Sequence, residues 1–259
     1  MMGGMKAWLR RLTGATTPPQ INDDDWQRLL RRVVWARGLD SEALHRLREY
    51  SERFLRDKAI TPARGCLLPP ERRRLIALLC CQPILHLGYD WLRGWQEVIV
   101  YPGQFGVRRH DYDDDTGVVV EWDDELIGES WQHGPLILSW ADVRADLDHP
   151  EPGYHVVAHE IAHKLDALDG TMDGTPPLRD AAMRDAWVRD FQSAYDAIGT
   201  EVEAGREPAI DAYAAEAPDE FFAVVSEYHF TAPEKLREAM PAVAARLAEF
   251  YGPRTLFTS

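Results

Sequence analysis

Residues 154–166 read YHVVAHEIAHKLD and contain the pattern HExxH as His159, Glu160 and His163. On a helix, residues four apart lie on one face, so both imidazoles can reach a single Zn²⁺ ion. Glu160 is offset by one residue and therefore flanks the open side of the metal, where a water molecule would bind. The spacing predicts a helix over about 153–168 that presents metal ligands.

The rest of this helix supports the placement. An apolar stripe lies on the face opposite the histidines. Its members are Val157, Ile161, Leu165 and Leu168. Asp166 lies beside the histidines, and two interpretations remain open: it orients a ligand histidine, or it is a solvated acid at a helix end where negative charge is unfavourable. His155, four residues before His159, could compete for metal, but its position favours a polar residue at the helix start.

A catalytic zinc needs a third protein ligand and keeps its fourth position for water. Candidates lie in residues 210–228, IDAYAAEAPDEFFAVVSEY. Pro218 fits the first turn of a helix, which places Glu220 in that turn among apolar residues. A carboxylate there is costly to bury unless it is paired or bound to metal. Glu227, seven residues later on the same face, is a rival ligand or a partner of a ligand, and Glu216 falls in the preceding loop.

Length and composition bound the fold. A chain of 259 residues with 45% hydrophobic and 28% charged residues is long enough to bury a core as one large domain or two small ones. No apolar run approaches the roughly 18 residues that a membrane-spanning helix needs. The N-terminus shows no secretory signal, and the three cysteines, two of them adjacent, form a poor disulfide framework. Together these features predict a cytoplasmic protein.

The net charge of −14 is unevenly distributed. Residues 1–100 hold 17 Lys and Arg against 11 Asp and Glu, whereas residues 101–259 hold 12 against 32. Such an acidic C-terminal part repels nucleic acid and anionic membranes. We therefore expect neither as a partner.

The order of elements predicts an α+β fold, because helices are followed by a small group of strands and then by helices again. Residues 1–22, which contain TTPPQ, predict a loose tail, and residues 23–255 a single domain. Helices are predicted at about 25–37, 40–58, 70–81, 153–168, 179–197, 218–229 and 233–250. Strands are predicted at 97–101, 117–122 and 135–140. The last strand is a candidate edge for an extended peptide, although a core strand is the alternative.

The sequence DYDDDT at 111–116 has the alternate aspartates of a calcium loop. However, Thr116 replaces the glycine of the sixth position and Trp122 replaces the glutamate of the twelfth. An acidic hairpin turn is the favoured interpretation.

The strings AHEIAHKLDALDG and DAYAAEAPDEFFAVVSEYHF resemble the Mlc titration factor A family of bacterial zinc metallopeptidases, over roughly residues 22–255. The resemblance implies a zincin-like domain with a small mixed sheet, an HExxH helix and an N-terminal helical cap. It implies one zinc per chain, held by His159, His163 and Glu220, with Glu160 as a catalytic residue. The family's catalytic domain is similar to that of anthrax lethal factor, where a tyrosine seven residues before the glutamate ligand faces the metal. Tyr213 occupies that position here.

The resemblance also implies function. Members are cytosolic, act as aminopeptidases on small peptides, and in the founding cases bind the glucose repressor Mlc. We therefore expect a zinc peptidase, with a peptide substrate and a glucose-responsive transcriptional repressor as a second partner. The alternative is a non-enzymatic protein that sequesters a transcription factor. A third interpretation, a zinc-stabilised structural domain, is weakened because only three ligands are apparent.

Overall fold

The computed structural model describes residues 21–103 and 134–252 of the chain. Nine α-helices lie within these ranges, connected in places by short 3₁₀ turns. They are α1 (Asp23–Arg32), α2 (Ser41–Asp57), α3 (Pro70–Cys81), α4 (Trp140–Asp148), α5 (Val156–Asp166), α6 (Ala181–Glu203), α7 (Pro218–Thr231), α8 (Pro233–Ala239) and α9 (Pro241–Tyr251). The described strands are β1 (Ala59–Pro62), β2 (Glu97–Tyr101) and β3 (Leu136–Ser139).

The described strands form one parallel sheet in the order β1-β2-β3. Ile99 of β2 pairs with Thr61 on one side and with Ile137 on the other. The predicted strands at 97–101 and 135–140 are confirmed, whereas β1 was not predicted. The predicted mixed sheet is not seen, since every described pairing is parallel. The strand expected at 117–122 lies outside the described residues, as does the acidic turn before it.

Local sequence signals explain most helix starts. The side chain of Asn22 accepts a hydrogen bond from Asp25 N at the start of α1, and Asp40 does the same for Ala43 N in α2. Proline occupies the first turn of α3, α7, α8 and α9. For this reason the single helix predicted over 233–250 is in fact two, divided at Pro241. The helix predicted over 25–37 starts earlier and gives way to a 3₁₀ turn at Val34–Gly38.

The hydrophobic core lies between the N-terminal helices, the sheet and the C-terminal helices. Helix α3 packs against α2 on one side and α5 on the other, and α5 packs against β3 and α7. An aromatic cluster fixes α7 from behind, with Trp187 stacked on Phe191 and edge-on to Phe222 and Phe250. This arrangement confirms the predicted α+β class. It also holds α5 and α7 side by side.

The first described residue of the chain is already part of the core. Ile21, inside the stretch expected to be a loose tail, is fully buried, and its N–H donates to Glu52 Oε1. No helix among the described residues is long and apolar enough to cross a bilayer.

Candidate metal centre

Helix α5 is anchored by one face and presents the histidines on the other. Val157, Ile161 and Leu165 are almost completely buried in the core, as the predicted stripe requires. His159 and His163 are themselves buried, at 8% and 7% exposure, in the space between α5 and α7. A buried histidine pair is costly without partners, so its surroundings decide what the pair can do.

Three ligand atoms meet between these helices in a compact triangle. His159 Nε2 lies 3.2 Å from His163 Nε2, and Glu220 Oε2 lies 3.1 Å from the first and 3.6 Å from the second. Tetrahedral Zn²⁺ with bonds of 2.0–2.1 Å places its ligand atoms about 3.3 Å apart. The three edges bracket this separation, so the triangle fits one zinc ion. The two histidines and Glu220 are also the only such cluster among the described residues.

The Glu220 carboxylate supports the same interpretation. It lies in the first turn of α7, and its buried Oε2 has no hydrogen-bond partner of acceptable geometry among the described residues. Burial would raise the pKa of Glu220, but the two facing imidazoles outweigh that effect and hold this pKa well below its usual value. The group is therefore a carboxylate at neutral pH, which is the form that binds a metal.

Glu227 lies outside the triangle and hydrogen-bonds one of its histidines. Its Oε1 lies 2.8 Å from His159 Nδ1, and its Oε2 accepts the backbone N–H of His155 at 2.6 Å. The carboxylate is almost fully buried, at 2% exposure. An Nδ1–H donated to Glu227 leaves the lone pair of His159 on Nε2, which faces the triangle. The sequence left two roles open for Glu227, a metal ligand or a partner of a ligand. This geometry fits the second.

His155 is a helix-start residue, as the sequence favoured. Its Nδ1 accepts the N–H of Ala158 at 3.2 Å, and its Nε2 lies 2.8 Å from Gln82 Oε1. Burial lowers the pKa of His155 to about 4, despite the opposing charge of Glu227. The imidazole is therefore neutral, with Nδ1 as acceptor and Nε2 as donor. Gln82 was not singled out from sequence, and no local pattern marks it.

The second histidine of the triangle, His163, is held differently. Its Nδ1 has no hydrogen-bond partner among the described residues, and the nearest carboxylate oxygen, Asp219 Oδ2, is 3.8 Å away. Both sequence interpretations of Asp166 were wrong. It is not solvated, because it is completely buried. Its Oδ2 accepts the N–H of Gly174 at 2.8 Å, and its Oδ1 has no hydrogen-bond partner among the described residues, so it bonds no histidine there.

Glu160 and Tyr213 are each next to His159, Glu160 in the chain and Tyr213 through its ring. Glu160, next to His159 on α5, is half-buried. Tyr213 lies in a 3₁₀ turn at Ala212–Ala215, and its ring centroid is 6.3 Å from that of His159. Glu216 immediately follows the turn, in the loop where it was expected.

Lys164 was missed from sequence, although a lysine inside a buried helix is itself a signal. Its ammonium group donates to Gly134 O at 3.0 Å, just before β3. Burial lowers the pKa of Lys164 to about 8, against the opposing effect of the Glu160 charge. The contact ties the helix that carries the histidines to the start of the neighbouring strand.

Two histidines and a glutamate on adjacent helices form the donor set of one class of metallopeptidase. The family of glucose-regulated metallo-peptidases M90 matches residues 5–252 of the chain. Mlc titration factor A of Escherichia fergusonii is 39% identical over 247 residues, which cover 93% of this chain and 91% of that protein. The Cronobacter sakazakii protein of the same name is 41% identical over 219 residues, covering 83% and 81%. The chain therefore belongs to the M90 family of glucose-regulated metallo-peptidases, which confirms the resemblance.

Proposed function

We propose that the protein is a zinc-dependent peptidase of the aminopeptidase type, with one Zn²⁺ held by His159, His163 and Glu220. The observation that carries this proposal is the triangle of ligand atoms, whose edges match tetrahedral zinc. Membership of a metallopeptidase family supports it, and so does Glu220, whose lowered pKa keeps it ionised beside the two imidazoles. The sequence resemblance, rather than the geometry, favours aminopeptidase activity.

The chemistry requires a base beside the metal. A zinc ion in such a site supplies Lewis-acid chemistry, because it lowers the pKa of a water molecule and polarises a carbonyl group. Glu160 then accepts a proton from the attacking water and passes it to the leaving amine, so the carboxylate returns to its starting state. Its position next to His159 and its partial exposure suit a group that exchanges protons with substrate.

Tyr213 is placed to assist the same step. Its ring lies on the His159 side of the triangle, in a turn fixed by the hydrogen bond from its own N–H to Asp211 Oδ1 at 3.0 Å. A phenol hydroxyl there would donate to the oxyanion that develops on the substrate carbonyl. One such donor typically contributes about 3–4 kcal/mol to transition-state stabilisation.

Strand β3 is the expected docking edge for the peptide. It is one of the two outer strands among the described strands, and α5 packs beside it. An extended substrate that adds to this edge would run past the ligand triangle, with its main chain hydrogen-bonded to the strand. The contact between Lys164 and Gly134 O would keep the edge in register with the histidines.

The direct test combines metal content with one substitution. The purified chain should contain one zinc and cleave aminoacyl or short-peptide reporters. Glu160→Gln should keep the zinc and lose about 10²–10⁴-fold in kcat, the usual contribution of a general base. Glu238→Gln, on an exposed position of α8, is the matched control and should leave both unchanged. An unaltered rate in the Glu160 variant would refute the role of this residue, and a wild-type chain without affinity for zinc would refute the metal site.

The relatives' name supports a second function. Three relatives that are 39–41% identical are called Mlc titration factor A, a name that points to binding of the repressor Mlc. We infer that this chain also binds a glucose-responsive repressor of that kind. If it does so without catalysis, as in the non-enzymatic alternative, Glu160→Gln should capture the purified repressor as well as the wild type does. No capture by either form would remove this function.

We infer one zincin-like domain over residues 23–255, with the N-terminal helices as its cap. We also infer a cytoplasmic location, which the three free and buried cysteines suit.

A further inference from the structure

A second set of contacts lies in the segment that connects α5 with α6. This segment touches the end of α5 and the start of α7, the two helices that carry the proposed ligands. Gly174 lies at its centre. The N–H of Gly174 donates to Asp166 Oδ2 at the end of α5, and its carbonyl oxygen accepts the indole N–H of Trp187 in α6 at 2.9 Å. Asp166 is completely buried and so is Trp187, so both partners are fixed by the core.

Gly174 also makes a close approach to a third element. A Cβ atom at this position would lie 2.4 Å from Pro218 O and 2.9 Å from Pro218 C, which is closer than side-chain atoms can come to backbone. The residue has φ +78°, a conformation that only glycine adopts without strain. Glycine is therefore required here twice, once for its backbone angle and once for space.

The element that Gly174 touches is the start of the ligand helix. Pro218 is the first residue of α7, and Glu220 follows two residues later in the same turn. The middle of α7 is fixed by the aromatic cluster around Phe222. In the first turn itself, Phe221 is held by edge contacts with Phe191 and Tyr195. Gly174 meets the turn at its other end, at Pro218, and Glu220 lies between these two contacts.

We propose that Gly174 is a positioning residue that sets the distance between Glu220 and the two imidazoles, with Asp166 and Trp187 as its two anchors. The proposal rests on the proposed function, in which Glu220 is the third zinc ligand. A displacement of the first turn of α7 by a few tenths of an ångström would enlarge the ligand triangle. Changes to residues that orient metal ligands typically cost about 10–100-fold in metal affinity.

The test is Gly174→Ala, measured by competition titration with Zn²⁺ and by the visible spectrum of the Co²⁺ form, which reports ligand geometry. We expect at least about a 10-fold weaker zinc affinity and an altered Co²⁺ spectrum. Two glycine controls separate positioning from backbone strain. Gly205→Ala has a similar φ of +67° with nothing within 4 Å, and Gly252→Ala has φ +86° with a close contact to His86 instead of to α7. Both controls should bind zinc as the wild type does.

A milder variant keeps the proposal testable if Gly174→Ala does not fold. Trp187→Phe removes only the indole donor to Gly174 O and retains a ring to stack on Phe191. It should weaken zinc binding by a smaller factor, with the same direction of change in the Co²⁺ spectrum.

The outcomes are distinct. If Gly174→Ala or Trp187→Phe binds zinc as tightly as the wild type, or if the two control glycine variants lose as much affinity as Gly174→Ala, the positioning role is overturned and the zinc site stands. If the wild type itself binds no zinc, the proposed function fails, and the positioning role fails with it.

Discussion

Two helix pairs of the same molecule are packed by different chemistry. Between α2 and α3 the buried side chains are mostly apolar, and the buried hydroxyl of Ser51 is satisfied within its own helix by Leu47 O. Between α5 and α7 the packing surrounds buried histidines and carboxylates, and Glu227 connects the helices through His159. Apolar burial has no preferred direction, whereas a hydrogen bond fixes the orientation of the group that it holds. The first pair therefore contributes mainly stability, and the second holds polar atoms in defined positions at a cost in stability.

The largest effect should come from the apolar pair. Phe54 of α2 is fully buried, edge-on to Trp95 at a centroid distance of 5.9 Å. Phe54→Ala should lower the free energy of unfolding by about 3–5 kcal/mol through lost burial and a cavity. Denaturant titration measures this loss, and Leu67→Ala, at 79% exposure, is the control with little expected change. Zinc affinity of the folded variant should stay within the error of the wild type. A large drop in affinity would show that the two pairs are not separable.

An intermediate effect should come from the polar pair. Glu227→Ala leaves the N–H groups of His159 and His155 without their acceptor, so the ligand imidazole loses its orientation. Zinc affinity should fall about 10–100-fold. Glu227→Gln keeps one carbonyl oxygen for His159 and should lose less. Glu238→Ala, on exposed α8, is the matched control in the same titration. Equal affinities in all four proteins would mean that the contact does not orient the ligand.

The third effect is a pH dependence within the polar pair, and it is the smallest of the three when taken per pH unit. Burial raises the pKa of Asp166 to about 7, although its hydrogen bond from Gly174 acts in the opposite direction. Between pH 4 and 7 the folded state keeps a proton that the unfolded state releases, so stability falls as pH rises, by no more than about 1.4 kcal/mol per pH unit. Asp166→Asn should remove that slope.

The measurement needs the metal-free protein, with stability compared between wild type and variant at each pH. The lowered pKa of His155, due mainly to burial, gives a slope of opposite sign between about pH 4 and 6.5, but it is common to both proteins and cancels in the difference. A difference that stays constant from pH 4 to 7 would contradict a protonated Asp166.

Periodicity and spacing predicted much of this site. Residues four apart on a helix must share a face, so the positions of His159 and His163 followed from the sequence alone. The proline before Glu220 fixed the start of its helix, and the structure brings that carboxylate to both imidazoles. The separation of seven residues also placed Glu227 on the correct face, but only the packing of α7 on α5 decided which group it meets.

Other features could not be read from one sequence. Strand β1 has four residues, one of them proline, and it exists because β2 offers hydrogen-bond partners 38 residues away. Asp166 was misjudged because helix-end position suggests exposure, whereas the loop through Gly174 folds back and covers it. Both errors have one cause: contacts between distant segments override local preference.

The adjacent thiols of α3 can report when the helices around them open. Cys80 and Cys81 are completely buried on the apolar pair, and burial raises the pKa of each thiol well above its ordinary value. Alkylating reagents need an exposed thiolate, so they can reach these sulfur atoms only when the scaffold opens. The rate of thiol labelling would then record opening of α2 and α3, while release of zinc from the proposed site would record events between α5 and α7.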